Sequence, residues 1–429
     1  MIIMKYFLCL IIFLASLCNY IKAEPLQLEI KGEAAILMNA DTGAILFEKN
    51  AHALHYPAST TKVATALYVL KTRGQELDTP VIAVQDDLAS IDHEAKRRSN
   101  YTLPAYWLEP DGSHIGIKRD EELTVRDLLK GMLIPSGNDA ANVVAHFAGG
   151  TIPLFMENLN VFLKDLGCTD TTFYNPHGLH HPQHQTTAYD LALILKESLK
   201  HPVFCEIISH TRFVRPKTNK QKSTILYQTN RLLRPGKFYY SKAIGGKTGY
   251  HSKAKKAFVG AARYNDRTLI IVLLKYDERS QLYQDAITLF DAAFNQPKVH
   301  HILLKAGKKK FTQLLPNAAE PLETYLAEDV SLDYYPSEDP KAKCHLHWHP
   351  LSLPIVKDQE VGELRLISEN GVLLQKRNIF AFKEVEMQWP YNWFHSISLF
   401  LESSSLLFWI ATIFMICLVL FIGSRVFRS

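Results

Sequence analysis

The chain has 429 residues, 48 Lys and Arg against 43 Asp and Glu, and 47% hydrophobic residues. That is ordinary globular composition, long enough for more than one domain and a large core. The cationic excess is too small and too scattered for nucleic acid, and it fits work near an anionic surface only weakly. The cysteines follow no motif: Cys9, Cys18 and Cys417 lie in the two apolar ends, leaving Cys168, Cys205 and Cys344 without metal or redox spacing.

The N-terminus reads as a secretory signal over residues 1–23. Lys5 supplies the charge, Tyr6 to Cys18 the apolar run, and Ala23 the cleavage position. Ile21, third before the cut, is not ideal, so an uncleaved anchor is the second reading. Next, Ala34 to Met38 and Ala44 to Phe47 read as strands flanking the turn residues Asn39, Asp41 and Gly43. "YPASTTKVATAL" then starts a helix. Pro57 suits its opening, and Val63, Ala66, Leu67 and Leu70 form its apolar stripe. Residues three apart share a helix face, so the Ser59 hydroxyl and the Lys62 amine can meet. Taken alone, S-x-x-K is a capping hydroxyl and a solvated lysine.

A polar, poorly periodic segment runs from about Gln85 to Ser113. "EAKRRSN" inside it reads as solvated, and Asn100-Tyr101-Thr102 matches a short glycosylation pattern. "LTVRDLLKGML" is a helix capped by Thr124, with Leu128, Leu129 and Met132 inward. "NDAANVVAHFAG", "PLFMENLNVFLKDLG" and "TTAYDLALILKESL" are further helices, the last capped by Thr186 or Thr187. "KAFVGAARYNDRTLIIVLLKY" is a hairpin turning at Asn265-Asp266-Arg267, and "SQLYQDAITLFDAAF" is the last helix. The class is therefore α+β.

From about Pro297 the pattern changes to short alternating runs. Asn370-Gly371 joins two of them in a strong hairpin signal. In "CHLHWH", Cys344, Leu346 and Trp348 face one way and His345 and His347 the other, with His349 continuing that face. Three histidines on one face suit a metal ion, but the reading adopted is a polar sheet face and no metal. The chain thus divides into residues 24–296, an α+β domain, and 297–388, a small all-β domain. An interfacial segment follows at 389–405, where Trp389, Tyr391, Trp393 and Phe394 form an aromatic belt. Residues 406–424 are uncharged and suit a membrane span. Residues 425–429, with Arg425 and Arg428, read as a cytoplasmic tail.

Two further motifs stand in the first domain: Ser136-Gly137-Asn138 between two helices, and Lys247-Thr248-Gly249 just before the hairpin. Each is weak alone. S-x-x-K, S-x-N and K-T-G in this order, each in the right element, are strong together. The chemistry fits. A serine hydroxyl needs a base, and a lysine can be one only when neutral. Burial and a second cation, Lys247, would lower the Lys62 pKa. Gly245, Gly246 and Gly249 would let a substrate backbone approach the strand.

With these motifs the chain resembles the D-alanyl-D-alanine carboxypeptidases, the low-molecular-mass penicillin-binding proteins. "AAILMNADTGAILFEKN", "LTVRDLLKGMLIPSGNDAAN", "FYNPHGL", "TNRLL" and "LPIVKDQEVGELRL" carry the likeness from Ala34 to about Trp389. The resemblance implies a transpeptidase-type α+β domain followed by the β domain. It implies an acyl-enzyme on Ser59, with Lys62 as base and Ser136 passing a proton to the leaving D-alanine. Asn138 would hold the substrate amide, and Lys247 and Thr248 its terminal carboxylate. The N–H groups of Ser59 and Tyr250 would form the oxyanion hole, beside Gly249. The substrate would be the peptidoglycan pentapeptide stem and the inhibitors β-lactams. No cofactor and no nucleic acid are implied. The location would be the inner membrane, with one C-terminal anchor and the enzyme on the periplasmic side.

The sequence departs from the family in the long Gln85–Ser113 segment and in Lys255, which stands where the family commonly has glycine. Lys253, Lys255 and Lys256 read as a solvated face, with recognition of an acidic stem as the second reading. His177, His180, His181 and His184 crowd one loop, and His177 reads as structural. A class A β-lactamase would need a glutamate after the second motif, and "ENLN" from Glu157 has the wrong spacing. A crosslink-cutting endopeptidase shares the same triple. A catalytically silent wall-binding protein would usually lack a motif residue, and here all are present.

Overall fold

The computed structural model describes residues 24–338, 342–368 and 371–391, with 393, 395–396, 398–399 and 412–416 beyond them. The signal expected at 1–23 lies outside the described residues, as does most of the apolar run at 406–424. Among the described residues no helix is long and apolar enough to cross a membrane.

The chain forms two compact units. The first comprises Ala23–Pro297 and Tyr335–Asp339. Its centre is an antiparallel sheet of β1 (Ala34–Asn39), β2 (Ile45–Lys49), β3 (Ala243–His251), β4 (Lys255–Tyr264) and β5 (Arg267–Tyr276), in the order β2-β1-β5-β4-β3. The sheet is covered on both faces, so its inner strands are apolar throughout rather than alternating. Ile270, Val272 and Leu274 of β5 face the larger helical layer. Leu269, Ile271 and Leu273 face the C-terminal helix Arg279–Phe294 through Tyr283, Leu289 and Phe290. Each such side chain contributes roughly 1.5–3 kcal/mol by leaving water.

The larger layer is built around α1 (Thr61–Arg73). The stripe Val63, Ala66, Leu67 and Leu70 is buried, and so are Ala64 and Val69. A helix apolar on several faces belongs inside a bundle. Helices α2 (Val125–Leu133), α3 (Asn138–Gly149), α4 (Ile152–Asp165) and α5 (Ala188–Ser198) surround it. Thr124 caps α2 by accepting from the Asp127 N–H, and Thr187 caps α5 by accepting from the Asp190 N–H.

Two expectations are corrected here. Ser59 does not lie on the α-helix itself but on a 3-10 turn, Ala58–Thr60, that precedes it. The segment 85–113 is not simply solvated. It folds into a short helix, His93–Arg98, in which Lys96 is 2% exposed. The Lys96 ammonium donates to the Trp107 carbonyl at 2.9 Å and pairs with Glu109 at 3.3 Å. Asn142 of α3 holds the segment by donating to the carbonyls of Asp87 and Tyr106, each at 2.9 Å. A charge can be buried when it is paired and hydrogen-bonded.

The second unit takes Lys298–Tyr334 and the residues after the 339 boundary. Strands Gly307–Gln313, Leu322–Leu326, Leu373–Ala381, Glu360–Ile367 and Lys343–Trp348 form an antiparallel sheet in that order, and Val299–Leu304 pairs with Val330–Tyr334. Leu326, Leu364, Leu366 and Ile379 make its core, with Cys344, Leu346 and Trp348 packed against them.

Candidate active site

The site assembles where α1, α3 and β3 meet. The 3-10 turn carries Ser59, half-buried, with Ala58 before it at φ 49°. Opposite the turn, Gly178 has φ 87°, and a Cβ there would lie 1.9 Å from the Ala58 carbonyl oxygen. Only glycine tolerates both that conformation and that approach.

Lys62 Nζ lies 2.9 Å from Ser59 Oγ, 2.6 Å from Asn138 Oδ1 and 2.8 Å from the His177 carbonyl oxygen. The lysine is fully buried. Burial pushes its pKa well below the ordinary lysine range; the Lys247 charge pushes the same way and Asp139 opposes. A neutral amine has two N–H groups and one lone pair. Asn138 Oδ1 and the His177 carbonyl can only accept, so they take both N–H groups. The lone pair is left for the Ser59 hydroxyl proton, which is the arrangement a general base needs.

Asn138 opens α3. Its own N–H donates to the Ser113 carbonyl at 2.7 Å. The next residue, Asp139, is buried and accepts from the N–H groups of Ile115, Gly116 and Ile117 at 2.9–3.0 Å. Sequence reasoning missed Asp139. Its position next to S-x-N is the only signal that could have marked it. Ser136 sits at φ 73°, a left-handed conformation that turns its side chain back into the site. Lys247 Nζ donates to Ser136 Oγ at 2.8 Å and to the Thr248 carbonyl at 2.8 Å, and burial pulls its pKa down to about 7. Thr248 Oγ1 pairs with Thr229 Oγ1 at 2.7 Å. Thr229 begins the "TNRLL" segment, so its location was legible but its partner was not. Tyr250 is exposed at the mouth of the site, on β3, the edge strand of the sheet.

The glycines of β3 are packed closely against neighbouring backbone. A Cβ on Gly249 would lie 2.8 Å from the Pro57 carbonyl oxygen and 3.1 Å from the Ser59 N. On Gly245 it would meet the Ile208 carbonyl oxygen at 2.5 Å, and on Gly246 the Val259 carbonyl oxygen at 2.3 Å. These glycines make room for the protein's own backbone. Gly249 in particular lets β3 lie against the Ser59 turn.

The histidine loop forms one wall. His177 Nε2 faces the Tyr106 carbonyl at 3.0 Å while its Nδ1 accepts from the Leu179 N–H at 3.2 Å, so the ring is neutral and structural. His184 lies 2.9 Å from Thr61 Oγ1 and accepts from the Tyr174 N–H. His180 packs edge-on against Tyr56 and faces His251, their ring centroids 5.3 Å apart. Among the described residues these rings do not converge as metal ligands. Lys255 has φ 56°, a conformation glycine adopts freely.

Fold and site together define a serine acyl hydrolase of the penicillin-binding class. The family model described as D-alanyl-D-alanine carboxypeptidase matches residues 20–278, and the chain belongs to that family. The chain is 30% identical over 360 residues to D-alanyl-D-alanine carboxypeptidase DacF of Bacillus subtilis, covering 81% of this chain and 85% of that one. It is 34% identical over 264 residues to DacB2 of Mycobacterium tuberculosis, 60% of this chain and 81% of the relative. Among solved structures, a Mycobacterium tuberculosis D-alanyl-D-alanine carboxypeptidase superposes with a TM-score of 0.54 at 30% identity, over 64% of this chain and 94% of that one. Penicillin-binding protein 5 of Haemophilus influenzae matches in fold, with a TM-score of 0.57 at 23% identity over 85% of this chain and all of that one.

Proposed function

We propose that this serine carboxypeptidase removes the terminal D-alanine from peptidoglycan pentapeptide stems through an acyl-enzyme on Ser59. The observation that carries the reading is the fully buried Lys62, whose two amine protons are committed to Asn138 and the His177 carbonyl. In the proposed path Lys62 takes the Ser59 proton as Oγ attacks the carbonyl between the two D-alanines. The backbone N–H groups of Ser59 and Tyr250 hold the oxyanion. Collapse breaks the peptide bond, and the proton held by Lys62 passes through the Ser136 hydroxyl, which is in contact with Lys247, to the leaving amine, so that Lys62 is neutral again. Water then attacks the ester, again with Lys62 as base, and frees Ser59.

Lys247 and Thr248 receive the terminal carboxylate. An anion beside Lys247 raises its pKa from about 7, so binding itself favours the cationic form. Asn138 orients the substrate amide. The free edge of β3 offers N–H and C=O groups to an extended stem peptide, as edge strands do. β-Lactams would present the same carbonyl and carboxylate and acylate Ser59.

The membrane part of the reading rests on sequence: the export signal at 1–23, the apolar run at 406–424 and the arginines after it. The enzyme would then stand outside the cytoplasmic membrane, with the β unit following it in the chain ahead of the apolar run. D-Alanine release from a pentapeptide by the full chain tests the reaction. Membrane retention of the full chain, compared with a chain ending at Gln388, tests the anchor.

A further inference from the structure

The β unit carries a cluster that the proposed reaction does not use. His347 and His349 lie on one face of the strand Lys343–Trp348 and just past its end. That strand is the edge of its sheet. Directly across from His347, on the neighbouring strand, is Glu363. One ligand atom from each of the three lies within 4.8 Å of the others, and among the described residues no other three His, Cys, Asp or Glu side chains converge this way.

We propose that His347, His349 and Glu363 form a site for a divalent cation of the zinc class, which clamps the edge strand to its neighbour. Two imidazoles and one carboxylate are a donor set zinc accepts, with a fourth position left for water. The residue spacing has a simple cause. Side chains two apart on a strand share a face, and a directly opposed residue is the nearest neighbour across the ladder. His345 belongs to the same face but is opposite Arg365, which excludes it from the cluster.

The surroundings fit a ligand set. His349 Nδ1 lies 3.6 Å from Glu360 Oε1, and its Nε2 lies 3.9 Å from Glu363 Oε2. One ring nitrogen therefore faces a carboxylate while the other faces the cluster, which is how metal-bound imidazoles are commonly oriented. Glu363 is 1% exposed. Its two carboxylate oxygens are paired with Lys376 and Arg365. Lys376 contacts the same Oε2 that faces His349 and is half-exposed. A cation would displace its ammonium into solvent and keep Arg365 on the other oxygen. An edge strand is otherwise joined to its sheet on one side only. A cation held from both strands would add a cross-link that the hydrogen-bond ladder lacks.

The test is calorimetric titration of zinc chloride into the full chain in detergent, with melting followed in parallel. The expected result is one zinc per chain at micromolar concentration and a higher melting temperature with zinc. In His347→Ala/His349→Ala both should be lost, while the melting temperature without metal stays close to that of the parent. Lys376→Met, which removes the competing cation, should bind zinc more tightly than the parent. No binding up to about 0.1 mM zinc, two orders of magnitude above the expected range, would overturn the proposal. Zinc binding that survives the double substitution would overturn it as well, by placing the metal elsewhere.

Discussion

Asn138 Oδ1 lies 2.6 Å from Lys62 Nζ, the proposed base, and brings no charge against it. An amide oxygen accepts a hydrogen bond without adding charge, so the lysine keeps the depressed pKa that burial imposes. Asn138→Asp changes few atoms but places an anion against the amine. Lys62 then holds its proton. Acylation by a fluorescent penicillin should slow by roughly a hundredfold or more, the usual worth of a general base. An unchanged acylation rate in a folded Asn138→Asp protein would show that Lys62 is not the base.

Gly249 is expected to act through the fold of the site rather than through substrate space. Gly249→Ala puts a methyl group 2.8 Å from the Pro57 carbonyl oxygen, so β3 must move away from the Ser59 turn. Overpacking of this kind costs about 1–3 kcal/mol. Both melting temperature and acylation rate should fall. A raised KM with an unchanged melting temperature would instead support a role in admitting substrate.

Acid should destabilise the catalytic unit through its histidines. Burial lowers the pKa of His180 to about 4 and of His251 to about 3, and it drives His177 and His184 well below the ordinary value. Each ring is neutral in the fold, while the unfolded chain binds protons from about pH 6.5 downward. The sign follows: this contribution is fully present above pH 6.5 and is lost as pH falls towards 3. Denaturant midpoints between pH 7.5 and 4 measure it. His251→Phe should flatten the dependence, and an equally steep curve in that variant would exclude the ring.

The Lys96–Glu109 pair makes the long segment 85–113 part of the core. Glu109→Ala leaves the Lys96 ammonium buried with only the Trp107 carbonyl. Loss of one partner of a buried pair costs about 3–5 kcal/mol. Lys96→Met, which removes the charge itself, should cost much less. Similar losses in both variants would mean that the pair is not what holds the segment.

Much of this was legible because it follows from local pattern. The stripe Val63, Ala66, Leu67 and Leu70 has the helical period, and the hairpin from Lys255 to Tyr276 is apolar on both sides of a polar turn. The triple motif was legible because the chemistry restricts the residue types. What escaped depends on tertiary contact. Lys96 looks like its exposed neighbours Arg97 and Arg98 until Glu109 folds over it. Asp139 looks like an ordinary first-turn acid, yet it fastens the 115–117 backbone behind Asn138. At the β3 glycines sequence shows a missing side chain but not the Pro57, Ile208 and Val259 carbonyls beside it. The histidines of "CHLHWH" acquire a third ligand only through the strand register.

The central claim is that Ser59 carries the acyl group and Lys62 activates it. The most direct measurement is the mass of the tryptic peptide containing Ser59 after treatment with penicillin, in the parent, Ser59→Ala and Lys62→Met proteins, with D-alanine release from a pentapeptide followed in the same samples. The expected result is a penicilloyl adduct on Ser59 and D-alanine release in the parent, neither in Ser59→Ala, and both reduced at least a hundredfold in Lys62→Met. An adduct on another residue, or D-alanine release that persists in folded Ser59→Ala, would contradict it.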